Sequence, residues 1–391
     1  MIKLMKSTFF DEKRTKEALC RFIMGSEKLS LGEQCDLFEE NYAKWQVRKY
    51  CVTFNSGSSA NLALLQALLN AGHIKKGSKI GFSAATWATD VMPIIQLGCV
   101  PVPIDVEIDT LNVSSKKLLD CKVLHDLDCL LITNLLGFCD DLDEIRKVCT
   151  KEDILLIEDN CESMGSVYKG TKLGNFGYAS TFSTYVGHHL STIEGGMVCT
   201  DDEDLYVMLK MVRAHGWDRN LPEKARQKIR SKNGITDDFW GRYTFYVDGY
   251  NLRPTEIGCF LGNFQLPMLD TTIDTRAKNY KYFSKIYDRE DLFYPVRTNH
   301  IELVSNFAVP VVCRNGEVFK RVLSKLEDAD IEVRPIVGGC IVKQPFYKTY
   351  FENRYDLKNS ITINDNGFYF GNNSELTANE KEHIITTLCN A

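Results

Sequence analysis

The chain has 391 residues, of which 44% are hydrophobic and 25% charged, with a formal net charge of −5. That length accommodates one large domain and a smaller one, and the composition is that of a soluble globular protein. The negative balance argues against nucleic acid or an anionic membrane as the main partner, and no apolar run approaches the roughly 18 residues a spanning helix needs.

The start, MIKLMKSTFFDEKRTKEALC, lacks the apolar core of a signal peptide, and its acidic residues do not suit a transit peptide. CVTFN (51–55) reads as a strand and SANLALLQALLNAG after it as an amphipathic helix. KIGFS (79–83) is followed by TDVMPIIQLG and VPVPIDV, and DCLLITNLLG (128–137) leads through DLDEIRKVCTKED to ILLIEDN (154–160). ASTFSTY and GGMVCT give two further strands, with EDLYVMLKMVRAHG (203–216) as the helix after them. Apolar runs alternating with helix-period segments predict an α/β fold with a parallel sheet covered by helices. The polar stretch DRNLPEKARQKIRSKNGITDDFWGRYT (218–244) predicts an insertion or surface loop. Further on, NFAVPVVC (306–313) and EVFKRVLSKLEDADIEVRPIV predict a strand, a helix and a strand. The expected division is a large domain over residues 1–270 and a small α+β domain over 271–391.

Fourteen cysteines are scattered along the chain with no C-x-x-C or C-x-C spacing, so no zinc knuckle or iron–sulfur run is legible. Most lie in apolar company, such as Cys129 in DCLLIT and Cys199 in GGMVCT. There cysteine packs as a small hydrophobe. Reduced thiols and a cytoplasmic setting are expected.

Three stretches can carry chemistry. In NSGSSANLAL (55–64) a strand ends, Gly57 permits close backbone approach and small hydroxyl residues open a helix. That suits a phosphate at a helix N-terminus or an ordinary capped turn, and matches neither a Walker loop nor a G-x-G-x-x-G fingerprint. In ILLIEDNCES, Asp159 stands at the carboxyl end of a strand, where open α/β sheets place ligands. It can pair with a protonated ring nitrogen, bind magnesium or cap a turn. Trp87, in SAATWATD, can stack on a flat ring or fill the core. In STYVGHHLSTIEGG (183–196), His188 and His189 sit between a strand and a Glu-Gly-Gly turn. A metal site is disfavoured there, because neighbouring strand residues point to opposite faces and no third ligand is near in sequence.

Taken in order, NSGSSAN, the Trp87 segment, EDNCES, STFSTYVGHHLSTIEGG and DGYNLRPTEIG resemble the DegT/DnrJ/EryC1/StrS superfamily of pyridoxal-phosphate sugar aminotransferases, in register over nearly the whole chain. The resemblance implies fold-type I architecture, similar to aspartate aminotransferase, with a large mixed-sheet domain and a small C-terminal α+β domain. Counting from Ser183, the family's cofactor-binding lysine falls at position 188, where this chain has a histidine. That exchange marks the family's sugar 3-dehydratases, in which the cofactor is held as pyridoxamine phosphate by noncovalent contacts. Histidine, with a pKa of about 6.5, suits proton movement at neutral pH. It would take a proton at C4′ of the cofactor and return one to the hydroxyl leaving sugar C3, giving a 3-deoxy-4-keto sugar and ammonia.

HGWDRNL (215–221), YTFYVDGYNLRPTE (243–256) and EVRPIVGG (332–339) are similar to the group acting on GDP-4-keto-6-deoxy-D-mannose, for deoxysugar synthesis in surface polysaccharide. The related CDP-sugar dehydratases carry a cysteine-ligated iron–sulfur cluster in the stretch corresponding to 215–245, which here contains no cysteine. The resemblance therefore implies no cluster, no reductase, and L-glutamate as the donor that regenerates pyridoxamine phosphate. It assigns Gly57, Ser58 and Ser183 to the cofactor phosphate, Trp87 to ring stacking, Asp159 to the ring nitrogen and Glu162 to a polar position beside the ring. Asn251 matches a phosphate contact reaching in from a second subunit, which implies a homodimer with shared sites. Arg334 matches a residue suited to the glutamate carboxylate. His189 and His215 are candidates on the substrate side, with packing of the turn and of the helix end as their alternatives. Other readings stay open: a CDP-sugar dehydratase, a lysine-free aminotransferase, a heptose substrate, or a noncatalytic cofactor-binding partner.

Overall fold

The computed structural model describes residues 1–351 and 355–391. Nine strands occupy the first part of the chain: β1 (Tyr50–Phe54), β2 (Lys79–Ser83), β3 (Val100–Ile104), β4 (Leu127–Thr133), β5 (Leu155–Asp159), the short β6 (Val167–Tyr168) and β7 (Thr171–Lys172), β8 (Ala179–Ser183) and β9 (Gly196–Thr200). Seven of them form one sheet in the order β1-β9-β8-β5-β4-β2-β3. From β3 to β8 every pair is parallel, whereas β9 runs antiparallel to both β8 and β1. The segment between β8 and β9 carries no helix, so the chain returns antiparallel and the sheet is mixed rather than wholly parallel. All residues of β8 and β9 are buried, which is why these strands read as continuous apolar or small runs without alternation.

Because β1 is parallel to β8, the carboxyl ends of β1, β2, β4, β5 and β8 share one edge of the sheet. The reversal of β9 brings Glu194–Gly196 to the same edge. The helix Gly57–Ala71 starts there and packs over β8 and β9. Ser56 caps it, its hydroxyl accepting from the Ser59 N–H at 3.0 Å, and Gly72 ends it at φ 79°, a left-handed conformation that suits glycine.

β1 is an edge strand, and its outward N–H at Thr53 donates to Glu39 at 2.9 Å. Glu39, on the helix Glu33–Gln46, pairs with Arg213 at the end of the helix Glu203–Arg213. Both side chains are buried. Arg213 also donates to the Thr53 carbonyl at 3.0 Å, and Lys210 stands 3.5 Å from Glu39. The edge is thus closed by a buried charge cluster.

In the second part of the chain β10 (Ile301–Leu303) pairs with β6, which pairs with β7. A separate antiparallel sheet has the order β11-β13-β12, from β11 (Ala308–Val312), β12 (Val333–Pro335) and β13 (Gly367–Gly371). The expected strand–helix–strand is present, with the helix at Gly316–Asp328. The central β13, GFYFG, was not anticipated between its polar flanks. The stretch 218–244 also differs from the expected loop, since it holds helices Glu223–Lys232 and Asp238–Gly241. The first buries no residue, so it leaves no hydrophobic period to detect. Local polar contacts hold it, among them Arg230 to Asp218 at 2.6 Å and to Asp238. Among the described residues no helix is long and apolar enough to cross a membrane.

Candidate active site

A cavity of about 490 Å³ opens at the edge where the parallel strands end, within the roughly 300–1,000 Å³ usual for small-molecule sites. From the first half of the chain it is lined by Gly57, Ser58, Trp87, Asp159, Glu162, Ser183 and His188, and from the second by Arg334, Phe307 and Tyr369. Eight of the eleven candidate residues therefore meet in one place. His189, His215 and Asn251 do not line it.

One end of the cavity is a cradle. A Cβ on Gly57 would lie 2.8 Å from Ser183 Cβ and 3.0 Å from Cys161 Sγ. The first helical hydrogen bond runs from the Ala60 N–H to the Ser56 carbonyl, so the preceding amides of Gly57 and Ser58 belong to the helix's unpaired first turn. Free amides, the Ser58 and Ser183 hydroxyls and the positive end of the helix dipole suit a phosphate dianion. On the cavity floor Asp159 Oδ1 accepts from the Cys161 N–H at 2.8 Å and Oδ2 from Asn61 Nδ2 at 2.7 Å. Each oxygen keeps a lone pair for a ring N–H. Trp87, 52% exposed, stands at the lip as a flat apolar surface. Phosphate cradle, carboxylate and aromatic lip together fit pyridoxal or pyridoxamine phosphate.

Glu162 accepts from the Leu136 N–H at 2.9 Å. Burial pushes its carboxyl up to about 8, the Leu136 contact pulling down and Asp159 adding a smaller rise. At neutral pH it is therefore an acid able to donate a hydrogen bond. The raised value also makes stability depend on pH. The contribution of Glu162 is fully present below about 4.5 and is lost as the pH rises through about 8, because over that window the folded state holds a proton the unfolded chain has released. Glu162→Gln is expected to flatten the fall in melting temperature of the cofactor-free protein between neutral pH and the alkaline side of this window. An unchanged slope would refute the assignment.

His188 lies in the turn after β8, not in a strand, so the alternation expected of neighbouring strand residues does not apply to the histidine pair. Its ring packs against Phe307 at 4.9 Å and Tyr185 at 5.9 Å between centroids. Nδ1 is buried with no hydrogen-bond partner among the described residues, and the backbone carbonyl accepts from Arg276 at 3.3 Å. Burial, then the Arg276 charge, push the imidazole down to about 4, against an upward pull from Asp159. His188 is thus a free base at neutral pH. His189 points elsewhere: it is buried, with Nε2 bonded to the Ser305 carbonyl at 2.9 Å.

Arg334 is exposed at the cavity wall and pairs with Glu332 at 2.6 Å. His215 (φ 59°) packs its ring against Trp217 at 4.8 Å, beside Arg219, which lies over both Trp217 and Tyr243 at 4.1 Å. Asn251 bridges to Ala214, and its side chain accepts from Arg253 at 2.9 Å. Asp90, Thr133, Tyr185, Glu194, Phe307 and Tyr369 also line the cavity and were missed in the sequence. Asp90, three residues past Trp87, and Tyr185 and Glu194, inside the 183–196 stretch around the histidines, carried a signal of proximity; Thr133, Phe307 and Tyr369 carried none.

The sequence profile of the DegT/DnrJ/EryC1/StrS aminotransferase family matches residues 11–389. A GDP-4-keto-6-deoxy-D-mannose 3-dehydratase of Escherichia coli O55:H7 is 36% identical over 373 residues, which cover 94% of each chain. The solved structure of an E. coli GDP-4-keto-6-deoxy-D-mannose 3-dehydratase with bound hydrated PLP is similar at a TM-score of 0.90 and 32% identity, over 99% of each chain. A GDP-4-keto-6-deoxymannose 3-dehydratase with a trapped PLP–glutamate geminal diamine gives 0.89 and 32%, over 99% of this chain and 100% of that one. This chain belongs to the DegT/DnrJ/EryC1/StrS aminotransferase family.

Proposed function

We propose that the protein removes the C3 hydroxyl of a GDP-linked 4-keto-6-deoxy sugar, with GDP-4-keto-6-deoxy-D-mannose as the favoured substrate and L-glutamate as amino donor. The observation that carries this reading is the free-base histidine, His188, on the cavity wall where the family's aminotransferases hold a lysine. Relatives named for this reaction, at about a third identity over nearly the whole chain, support it.

Bound pyridoxamine phosphate supplies the amine that condenses with the keto carbon and the conjugated ring that accepts electrons. Gly57, Ser58 and Ser183 hold its phosphate, Asp159 accepts from the ring N–H, and Trp87 stacks on the ring. Glu162, neutral at working pH, donates beside it. His188 removes a proton at C4′ and delivers it to the oxygen leaving C3, so one imidazole acts first as base and then as acid. Phe307 and Tyr185 close one side of that imidazole and limit water. Arg334 offers a guanidinium to the glutamate carboxylate.

A homodimer with shared sites belongs to the same reading. In it Asn251 and His215 serve the partner's cavity. The exposed Phe239, Trp240, Tyr243 and Phe245 between them supply an apolar surface for such a contact.

The test is incubation with cofactor, glutamate and a panel of GDP- and CDP-4-keto-6-deoxy sugars, with ammonia and 3-deoxy product measured. An amino sugar as the main product would replace the dehydratase by an aminotransferase. Anaerobically purified protein is expected to carry no stoichiometric iron and to turn over without a reductase, and borohydride is expected to leave no cofactor attached to the chain. Iron at one equivalent or more, or a reduced lysyl adduct by mass spectrometry, would contradict the proposal.

A further inference from the structure

The Asp159 carboxylate has a second acid beside it. Asp90, in the short turn Ala88–Asp90, is fully buried and lines the same cavity. The side-chain amide of Asn61, in the second turn of the helix Gly57–Ala71, donates to Asp90 Oδ1 and to Asp159 Oδ2, both at 2.7 Å. Two carboxyl groups therefore hang from one amide. The groups facing Asp90 are Asp159, Asn61 and the hydroxyls of Thr86 and Thr133, with the Cys161 thiol close by.

A count of hydrogens fixes the state of Asp90. Its Oδ2 meets Thr86 Oγ1 and, at 2.8 Å, Thr133 Oγ1, while the two hydroxyls are 2.6 Å apart. Three oxygen–oxygen contacts need three hydrogens, and the two threonines supply two. A proton on Asp90 Oδ2 closes the ring, each oxygen donating once and accepting once. With that proton absent, the three contacts share only two hydrogens, so one oxygen pair stands close with none between, and a second buried negative charge is uncompensated. Burial first, then the charge of Asp159, push the Asp90 carboxyl well above the usual range, against the pull of the threonine hydroxyls.

We propose that Asp90 remains a carboxylic acid and, through Asn61, fixes the carboxylate of Asp159 against the cofactor ring, acting as a positioning residue; this rests on the role given to Asp159 above. The consequence is one charge for one charge. The ring N–H⁺ meets a single carboxylate, whose rotation is stopped by Asn61 on one oxygen and the Cys161 N–H on the other.

The experiment compares the full-length, cofactor-loaded protein with Asp90→Asn by infrared difference spectroscopy, and measures PLP affinity by absorbance titration of Asp90→Asn and Asp90→Val. The expected difference spectrum carries a protonated-carboxyl stretch that persists above about 8, where Glu162 has ionised. Asparagine, neutral and of the same shape, can accept from Asn61 and donate to the threonines, and is expected to hold PLP within about threefold of wild type. Valine leaves those groups unanswered and is expected to weaken PLP about tenfold or more. A carboxylate stretch in place of the acid band, or an asparagine variant as weak as the valine variant, would overturn the proposal. The infrared comparison needs only Asp90→Asn, so it decides even where Asp90→Val does not fold. Asp159→Asn is measured alongside: unchanged PLP affinity and absorbance there would refute the ring-nitrogen role of Asp159, while the acid band still reports the state of Asp90.

Discussion

His188→Asn is expected to keep the fold and the cofactor while dehydration falls about 10²–10⁴-fold, the range typical of a general acid–base group. The side chain makes no hydrogen bond through Nδ1, and the turn is held by backbone contacts, including the Tyr185 carbonyl and Arg276. Little of the structure therefore depends on the imidazole. His189→Asn is expected to show the opposite pattern: it breaks the buried contact to Ser305 and lowers the melting temperature, with a smaller loss of rate. His188→Lys is expected to capture the cofactor covalently and still fail to release 3-deoxy sugar efficiently. In wild type, loss of the base belongs on the acid side, as the pH falls through about 4. The measurement is ammonia and 3-deoxy product per turnover. A His188→Asn variant that dehydrates at near the wild-type rate while His189→Asn is dead would exchange the roles of the two histidines.

Arg213→Met is expected to be the most damaging single change to stability, at about 3 kcal/mol, the lower end of the cost of stranding one member of a buried ion pair. Glu39 would keep Lys210 at 3.5 Å and two contacts from Thr53, which is why the upper end is not expected. The loss should appear as a lower denaturant midpoint at constant slope. Glu39→Gln with Arg213→Met should recover part of it, because the stranded charge is gone; a double variant no better than Arg213→Met alone would show that packing, not charge, sets the cost. The change also bears on the site, since Arg213 anchors β1 just before the Gly57 turn.

The main sheet was legible because its strands are buried on both faces and therefore stand out as short apolar runs, and ILLIED announced Asp159 at a strand end. The reversal of β9 was not, since nothing in GGMVCT distinguishes a parallel from an antiparallel neighbour; the helix-free connection before it decides. Helix Glu223–Lys232 was hidden because it buries no residue. At the site, residues in turns after strands could be anticipated together. Phe307 and Tyr369 could not, because they arrive from the separate β11-β13-β12 sheet and its approach. Asp90 and Asn61 lay within quoted segments, TDVMPIIQLG and NSGSSANLAL, but neither was singled out. Their meaning lies in a contact 29 residues apart, which no local pattern records.

Among the described residues no lysine lines the cavity. Under the proposed function, retention of the cofactor would be an equilibrium rather than a bond, and the folded state would be tied to free cofactor by mass action. At a free concentration one hundredfold above its dissociation constant the cofactor adds about 2.7 kcal/mol of stability, and on dilution that support drains away. Catalytic capacity and resistance to heat or proteolysis are then expected to rise and fall together with the supply of cofactor. A lysine-tethered relative would be largely insulated from that supply, whereas a chain of this kind would follow it.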